Sequence, residues 1–419
     1  MRTVRLSEYE AKVESLEPTE LTALLSTKLV DVRARADGLY ELVAGGTVGA
    51  VAVPGLQVIV RPKVGLRNTF FLLGYAAGLA DWPPERFPYE KDEFFPAIAW
   101  LLEAEVSRAL RAGVVRAYQS RSEDLATVRG RINIDLQIKR RPGQDFPLAC
   151  RFQEYTEDIE LNRVVKAAVR RLLRIPALDR LLSMRLWHHL HAFTEVADVD
   201  YRPATVPELV FTRLNAAWER AGHLATLVLQ ADSLRDEVGS TEAVSFTVDM
   251  NKVFERFVEC IVREEARHHR LELLPRRALR LTERITMRPD LILRRDRDDL
   301  AVGDAKYKRL DRRDPPHADL YQLLAYCVGL RLDRGLLIYG EAAEPRIERV
   351  LGTDIELEVV GIDLTDSPDH VLESARHAAR RLVGQAETRG LGRLRAIAER
   401  PRSQSCGSGR VASRARAVG

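Results

Sequence analysis

Arg288-Pro289-Asp290-Leu291-Ile292-Leu293, a charged turn, then Leu300-Ala301-Val302-Gly303-Asp304-Ala305-Lys306-Tyr307-Lys308 is the stretch whose reading decides the fold. Asp290 heads a short apolar run, and residues 294–299 (Arg-Arg-Asp-Arg-Asp-Asp) are a polar connection. The pattern predicts a hairpin whose return strand runs from Leu300 to Tyr307. Side chains in a strand alternate faces, so Leu300, Val302, Asp304 and Lys306 are predicted to share one side, with Asp290 brought alongside by the hairpin. Two carboxylates so placed can hold Mg²⁺ against a phosphate. A lysine beside them can orient an attacking water or steady developing negative charge. Only 9 of the 65 basic residues are lysine, so Lys306 stands out against an arginine background. An ammonium is compact and shifts its pKa readily, whereas a guanidinium is bulkier and permanently charged. On residues alone, a surface hairpin with a solvated ion pair also accounts for the pattern.

The flanks extend this reading. From Asp249 onward, Met250, Val253, Phe254, Phe257, Val258 and Ile261 fall at helical spacing, and Asp249 can cap the helix start. Glu255 lies at the border of that stripe, within reach of a sheet-edge metal or equally as a solvated glutamate. A second helix is predicted from about His317 to Leu330, with Gln322 and Tyr326 one turn apart on one face. Tyr326 also reads as plain core and Gln322 as a surface amide. A strand near Ala278–Thr282 and a buried strand, Gly335–Gly340, complete the region.

The order helix, strand, strand, strand, helix, strand, with its Asp…Asp-x-Lys hairpin, resembles the PD-(D/E)xK nuclease superfamily, whose shared core is αβββαβ. The resemblance covers roughly residues 245–345. It implies metal ligation by Asp290 and Asp304 and a catalytic role for Lys306. It also implies auxiliary catalytic roles for Glu255, Gln322 and Tyr326, the last two matching a Gln-x-x-x-Tyr element.

Further motifs narrow the family. Residues 39–64 read as three short strands punctuated by Gly45-Gly46 and Pro54-Gly55, followed by a helix carrying Phe70-Phe-Leu-Leu-Gly-Tyr75. Val128-Arg-Gly-Arg-Ile-Asn-Ile134 and Cys150-Arg-Phe-Gln-Glu-Tyr-Thr-Glu-Asp-Ile-Glu-Leu-Asn162 come next, then Asp249-Met-Asn-Lys-Val-Phe-Glu255 and Gly303-Asp-Ala-Lys-Tyr-Lys308. In this order the motifs resemble the McrC family, the nuclease subunit of the McrBC modified-cytosine restriction system. One departure is Ala305, where threonine is frequent; it faces away from the site. The resemblance implies a Mg²⁺-dependent (or Mn²⁺-dependent) endonuclease acting on double-stranded DNA. It further implies an AAA+ GTPase partner resembling McrB, whose GTP turnover this chain stimulates. There is no Walker A motif, so GTP is expected to enter only through that partner.

The rest bounds the alternatives. The chain has 419 residues, 46% of them hydrophobic, enough for two or three cored domains. With no run of 18 apolar residues and no signal-peptide pattern, it is expected to be cytoplasmic and free of membrane. A formal net charge of +4 permits nucleic-acid contact without establishing it. Cys150, Cys260, Cys327 and Cys406 are scattered and read as buried thiols. Gly45-Gly46-Thr-Val-Gly49 reads as a hairpin turn, and His188, His189 and His191 as a solvated or partner-facing helix rather than a zinc site. The predicted class is α/β multidomain: a β-rich N-terminal domain (1–85, ending near Trp82-Pro83-Pro84), a mainly helical partner-docking region (86–238) with a β-containing insert at Leu125–Ile138, a restriction-endonuclease-like αβββαβ domain (239–385), and a flexible basic tail (386–419) whose arginines suit either phosphate contact or an unselected end. The N-terminal half is assigned to docking by elimination and is read as able to fold alone. A noncatalytic activator of a partner NTPase and a stand-alone repair nuclease are the competing functions.

Overall fold

A computed structural model describes residues 2–25, 27, 29–53, 55–76, 94–144, 146–174, 178–230, 244–308 and 316–398. The chain opens with β1 (Arg2–Ser7), β2 (Ala11–Glu14), α1 (Pro18–Leu25), β3 (Val30–Ala34), β4 (Tyr40–Ala44), β5 (Thr47–Val53), β6 (Leu56–Arg61) and α2 (Leu66–Ala76). The middle holds α3 (Phe94–Leu110), β7 (Ala117–Leu125), β8 (Arg131–Ile132), α4 (Ile134–Arg140), β9 (Leu148–Thr156), α5 (Glu160–Leu173), α6 (Arg180–Ala192) and α7 (Glu219–Gln230). Then follow β10 (Val244–Asp249), α8 (Met250–His268), β11 (Glu272–Leu273), β12 (Leu279–Arg280), β13 (Thr286–Met287), β14 (Leu291–Arg295) and β15 (Asp298–Lys306). The last elements are α9 (His317–Leu330), β16 (Arg334–Tyr339), β17 (Arg346–Arg349), β18 (Glu356–Gly361) and α10 (Pro368–Ala398).

A six-stranded sheet, ordered β11-β14-β15-β16-β18-β17, carries the site. β14 and β15 pair antiparallel, while β15, β16 and β18 run parallel. Parallel neighbours need covered faces. The helices α8 and α10 pack on one face through Phe257, Ile261, Ala379 and Leu382, joined by Ala301 and Ala305 of β15. On the other face α9 contributes Leu323 and Tyr326, packed with Ile292, Val302 and Leu337. All six apolar positions read as the α8 stripe are buried, and the Asp249 carboxylate accepts from Asn251 N at 3.1 Å as its cap.

Several local expectations are corrected. Pairing jumps from Leu293↔Ala301 to Arg294↔Asp299, leaving Leu300 as the extra residue of a bulge. Leu300 therefore packs with Ala301 on the α8 and α10 side, whereas Val302 lies in the opposite cluster. The strand expected near 278–282 forms a separate two-stranded hairpin, β12 with β13, and the short β11 takes the sheet position instead. Gly45-Gly46 is not a hairpin turn, because β4 pairs with β2 and β3 while β5 pairs with β6 and β10. The pair carries the chain from one sheet to the next. A Cβ on Gly46 would meet Asn251 Nδ2 at 2.5 Å, so a side chain there would push the Asn251 amide aside.

In the middle region the main insert strands flank the stretch assigned to them: β7 and β9 pair along nine positions, and 125–138 holds the last residue of β7, then β8 and most of α4. His189 is buried rather than solvated, its Nε2 lying 3.2 Å from Glu103 Oε1. The stretch read as tail begins inside α10, which continues to Ala398. Residues from 399 on, with Cys406, and the boundary at Trp82-Pro83-Pro84 lie outside the described residues. Cys150, Cys260 and Cys327 are free thiols, the first and last buried. Among the described residues no helix is long and apolar enough to cross a membrane.

β10 leaves the middle region and pairs antiparallel with β5 along all six of its residues, closing the sheet β1-β6-β5-β10. The chain then turns directly into α8, and Met250 N donates to Gly46 O at 2.9 Å.

Candidate active site

Asp290 sits at the head of β14 beside the C-terminal part of β15. Its Oδ2 accepts from Ala305 N at 3.1 Å, which fixes the carboxylate between Asp304 and Lys306. Asp304 is 2% exposed, and Lys306 Nζ lies 2.5 Å from its Oδ2. That contact is a close ion pair, and it leaves the Lys306 ammonium beside a buried Asp304 oxygen. Burial first, then the Asp290 charge, pushes the Asp304 acid well above its ordinary range. For Lys306, burial pulls down, but Asp304, Asp290 and Asp319 outweigh it and hold the ammonium charged. Such a cluster is short of positive charge.

Glu255 projects from α8 toward the same place. Burial and the Asp290 charge raise its pKa, while Arg276 acts against both. Arg276, between β11 and β12, brings its Nη2 to 2.7 Å from Glu255 Oε2 and 3.2 Å from Asp290 Oδ1. Among the described residues no group of three or more His, Cys, Asp and Glu side chains is gathered for a metal. Asp290 and Asp304 stand as a pair, with Glu255 drawn to the guanidinium.

Gln322 and Tyr326 are one turn apart on α9, as read from spacing. Gln322 Nε2 donates to Tyr326 Oη at 2.6 Å, and that hydroxyl reaches the Arg288 carbonyl at 3.4 Å. They brace the segment leading into Asp290 and make no hydrogen bond to the carboxylates themselves. Burial and the Asp304 charge raise the Tyr326 pKa.

Sequence reasoning missed three neighbours. Arg276 is one arginine among many in an irregular segment and carries no pattern. Asp319 is 4% exposed and takes Lys308 Nζ at 2.7 Å and Tyr339 Oη at 2.8 Å, anchoring the residues beyond Lys306. Its position in the first turn of a predicted helix was the available signal. Glu8, from the far N-terminus, accepts from Tyr307 Oη at 2.8 Å and from Lys63 N at 2.6 Å. Tyr9 Oη donates to the Tyr307 carbonyl at 2.7 Å, and Lys63 Nζ lies 4.3 Å from the Tyr307 ring centre. Nothing local in sequence announces a contact across almost 300 residues.

A cleft of about 1150 Å³ lies between the α7 region and α8, lined by Lys252, Arg256, Glu255 and Arg276 among others.

The family model for the McrBC 5-methylcytosine restriction system component matches residues 42–340. The chain belongs to this family. A McrBC-family assignment covers most of the chain, from β4 through the parallel strand β16. Among solved structures, a chain in the tetradecameric assembly of Thermococcus gammatolerans McrB AAA+ hexamers with bound McrC shares the fold. It aligns at 20% identity with a TM-score of 0.55, covering 90% of this chain and 99% of that one. A second chain, from the Thermococcus gammatolerans McrBC complex, aligns at 23% identity over 62% of this chain and 87% of that one, with a TM-score of 0.39. No curated protein matches.

Proposed function

We propose that this McrBC-family chain is the Mg²⁺-dependent DNA endonuclease subunit of its restriction system, with Mn²⁺ an acceptable substitute. It cuts duplex DNA carrying modified cytosine together with an AAA+ GTPase partner, whose GTP turnover it stimulates. One observation carries the nuclease reading: Asp304, nearly inaccessible, is held between Asp290 and Lys306 at the C-terminal end of β15, inside the six-stranded sheet. The partner reading follows from the family and from the fold shared with a chain of the McrB–McrC assembly.

The residues fit a hard divalent cation: the donors are carboxylate oxygens, and those of Asp290 and Asp304 lie together with the Lys306 ammonium against Asp304. Asp290 and Asp304 would hold it, with Glu255 on the α8 side. Bound there, Mg²⁺ supplies Lewis-acid polarisation of a phosphoryl oxygen. Lys306 keeps its proton because three carboxylates face it. It therefore orients the attacking water by hydrogen bonding and offsets negative charge growing on the phosphate. Tyr326 and Gln322 fix the Arg288 carbonyl and through it the approach of Asp290. Asp319 and Glu8 hold Lys308 and Tyr307, so the Lys306 ammonium just before them is presented from a braced strand end.

The test is cleavage of methylated duplex by the full chain with Mg²⁺, with and without the GTPase partner and GTP, beside Asp304→Asn. Cutting should require partner and GTP, and the variant should lose it while still stimulating GTP turnover. Vigorous partner-free cutting of unmodified duplex would favour a repair nuclease. Stimulation by a wild-type chain that never cuts would favour the adaptor, and normal cleavage by Asp304→Asn would remove the site.

A further inference from the structure

We infer that Arg276 is a resident counter-cation of the carboxylate cluster, which a divalent ion must displace; this rests on the nuclease reading above. A single guanidinium nitrogen, Nη2, bridges Glu255 Oε2 at 2.7 Å and Asp290 Oδ1 at 3.2 Å. The choice of oxygen matters. Asp290 Oδ2 is engaged by Ala305 N, so Oδ1 is the oxygen left to face a cation, and Arg276 takes it. The same nitrogen occupies Glu255 Oε2, the carboxylate oxygen that it ties to Asp290. Arg276 thus competes for two of the three carboxylates that surround the site.

Its surroundings suit a displaceable group. The Arg276 side chain is 43% exposed and lies in the irregular segment between β11 and β12, lining the same cleft as Glu255. Its neighbour Arg277 is committed elsewhere, contacting the Asp299 carboxylate. A guanidinium stays protonated at any working pH, so Arg276 cannot leave by losing its charge; another cation must outcompete it. The arrangement keeps the carboxylates neutralised while metal is absent and lowers the apparent affinity for metal by competition.

The experiment measures Mn²⁺ binding to the full chain, by calorimetry or by the loss of free Mn²⁺ spin-resonance signal, without DNA or partner. Arg276→Gln is expected to bind Mn²⁺ roughly fivefold tighter, the scale on which one partly exposed ion pair competes. It should also melt at a lower temperature than wild type without metal, with the gap closing as Mn²⁺ is added. Arg277→Gln removes the same charge one residue away and is expected to leave affinity unchanged. Arg276→Lys keeps the charge but loses the planar guanidinium and should fall between wild type and the glutamine variant. If the glutamine variant does not fold, tighter binding by Arg276→Lys supports the inference and unchanged binding overturns it. Unchanged or weaker binding by a folded Arg276→Gln overturns the counter-cation role while leaving the nuclease reading intact, provided that wild type binds and Asp304→Asn does not. A wild-type chain that binds no Mn²⁺ overturns both.

Discussion

Lys306 is 19% exposed and faces Asp304 at 2.5 Å, a pocket sized for an ammonium. Lys306→Arg keeps the charge but asks a planar fork to enter that space. Single-turnover cleavage with partner and GTP is expected to slow by about 10²–10⁴-fold, the usual range for a positioned proton-handling or charge-stabilising group. A near-normal rate would take Lys306 out of the chemistry. A second titrating residue lies away from the carboxylate cluster. Glu8 is 2% exposed, and burial pushes its pKa up to about 7, against the hydrogen bonds from Lys63 and Tyr307. A raised acid favours folding while it is protonated. Its contribution is complete below about pH 4.5 and is lost as pH rises through about 7, an interval worth about 3 kcal/mol. Glu8→Gln removes that titration. Melting temperatures recorded from about pH 5 to about pH 8 should therefore show the variant gaining on wild type as pH rises. Parallel profiles would mean that Glu8 does not titrate in this window.

Among the elements, the insert sheet offers a clean test. Gly130 has φ +72°, and a Cβ there would approach Arg151 O at 2.4 Å and Phe152 Cβ at 2.7 Å. Gly130→Ala combines a strained backbone with overpacking and is expected to cost about 1–3 kcal/mol. The loss should appear in hydrogen exchange at β7 and β9 while amides of β15 and β16 stay protected. Uniform exchange would mean that the insert is not an independent unit of stability. This scale also marks what was legible. The helices α8 and α9 could be read because their apolar positions repeat at 3.6 residues and each buries one stripe. The hairpin of β14 and β15 could be read because a charged turn separates two apolar runs. Period alone could not tell that Gly45-Gly46 passes between sheets, that Leu300 bulges, or that the strand near 280 pairs outside the main sheet. The first depends on which distant strand supplies a partner, and the other two on local pairing choices that apolar period does not carry. His189 shows the same limit, since its burial is set by Glu103, 86 positions earlier.

At the scale of the whole molecule, the N-terminal sheet is completed by a strand from beyond the middle region. Residues 1–238 had read as able to fold alone. Without β10, however, β5 would keep an unpaired edge beside buried Val48 and Val51. That fragment, expressed alone, is expected to elute as aggregates in size-exclusion chromatography, and extension to residue 268 should restore at least part of the monomer. A monomeric 1–238 fragment with a cooperative melt would show the sheet to be self-sufficient. The candidate site was legible as far as Asp290, Asp304, Lys306, Glu255, Gln322 and Tyr326, which share one local stretch of chain. Arg276 and Glu8 were not, because their roles arise only when separate segments meet.

That shared sheet bears on what happens when the molecule is damaged. A severed cutting enzyme is a hazard if its blade survives alone, free of whatever normally directs it. Here a break anywhere between α7 and β10 would leave the C-terminal piece holding β10 without β5 beside it. The helix carrying Glu255 would lose the Gly46 carbonyl that anchors its first turn, and Tyr307 would lose Glu8 and Tyr9. On the nuclease reading proposed above, breakage would blunt the fragment, and a host that degrades this protein would be spared a stray cutting activity among the debris.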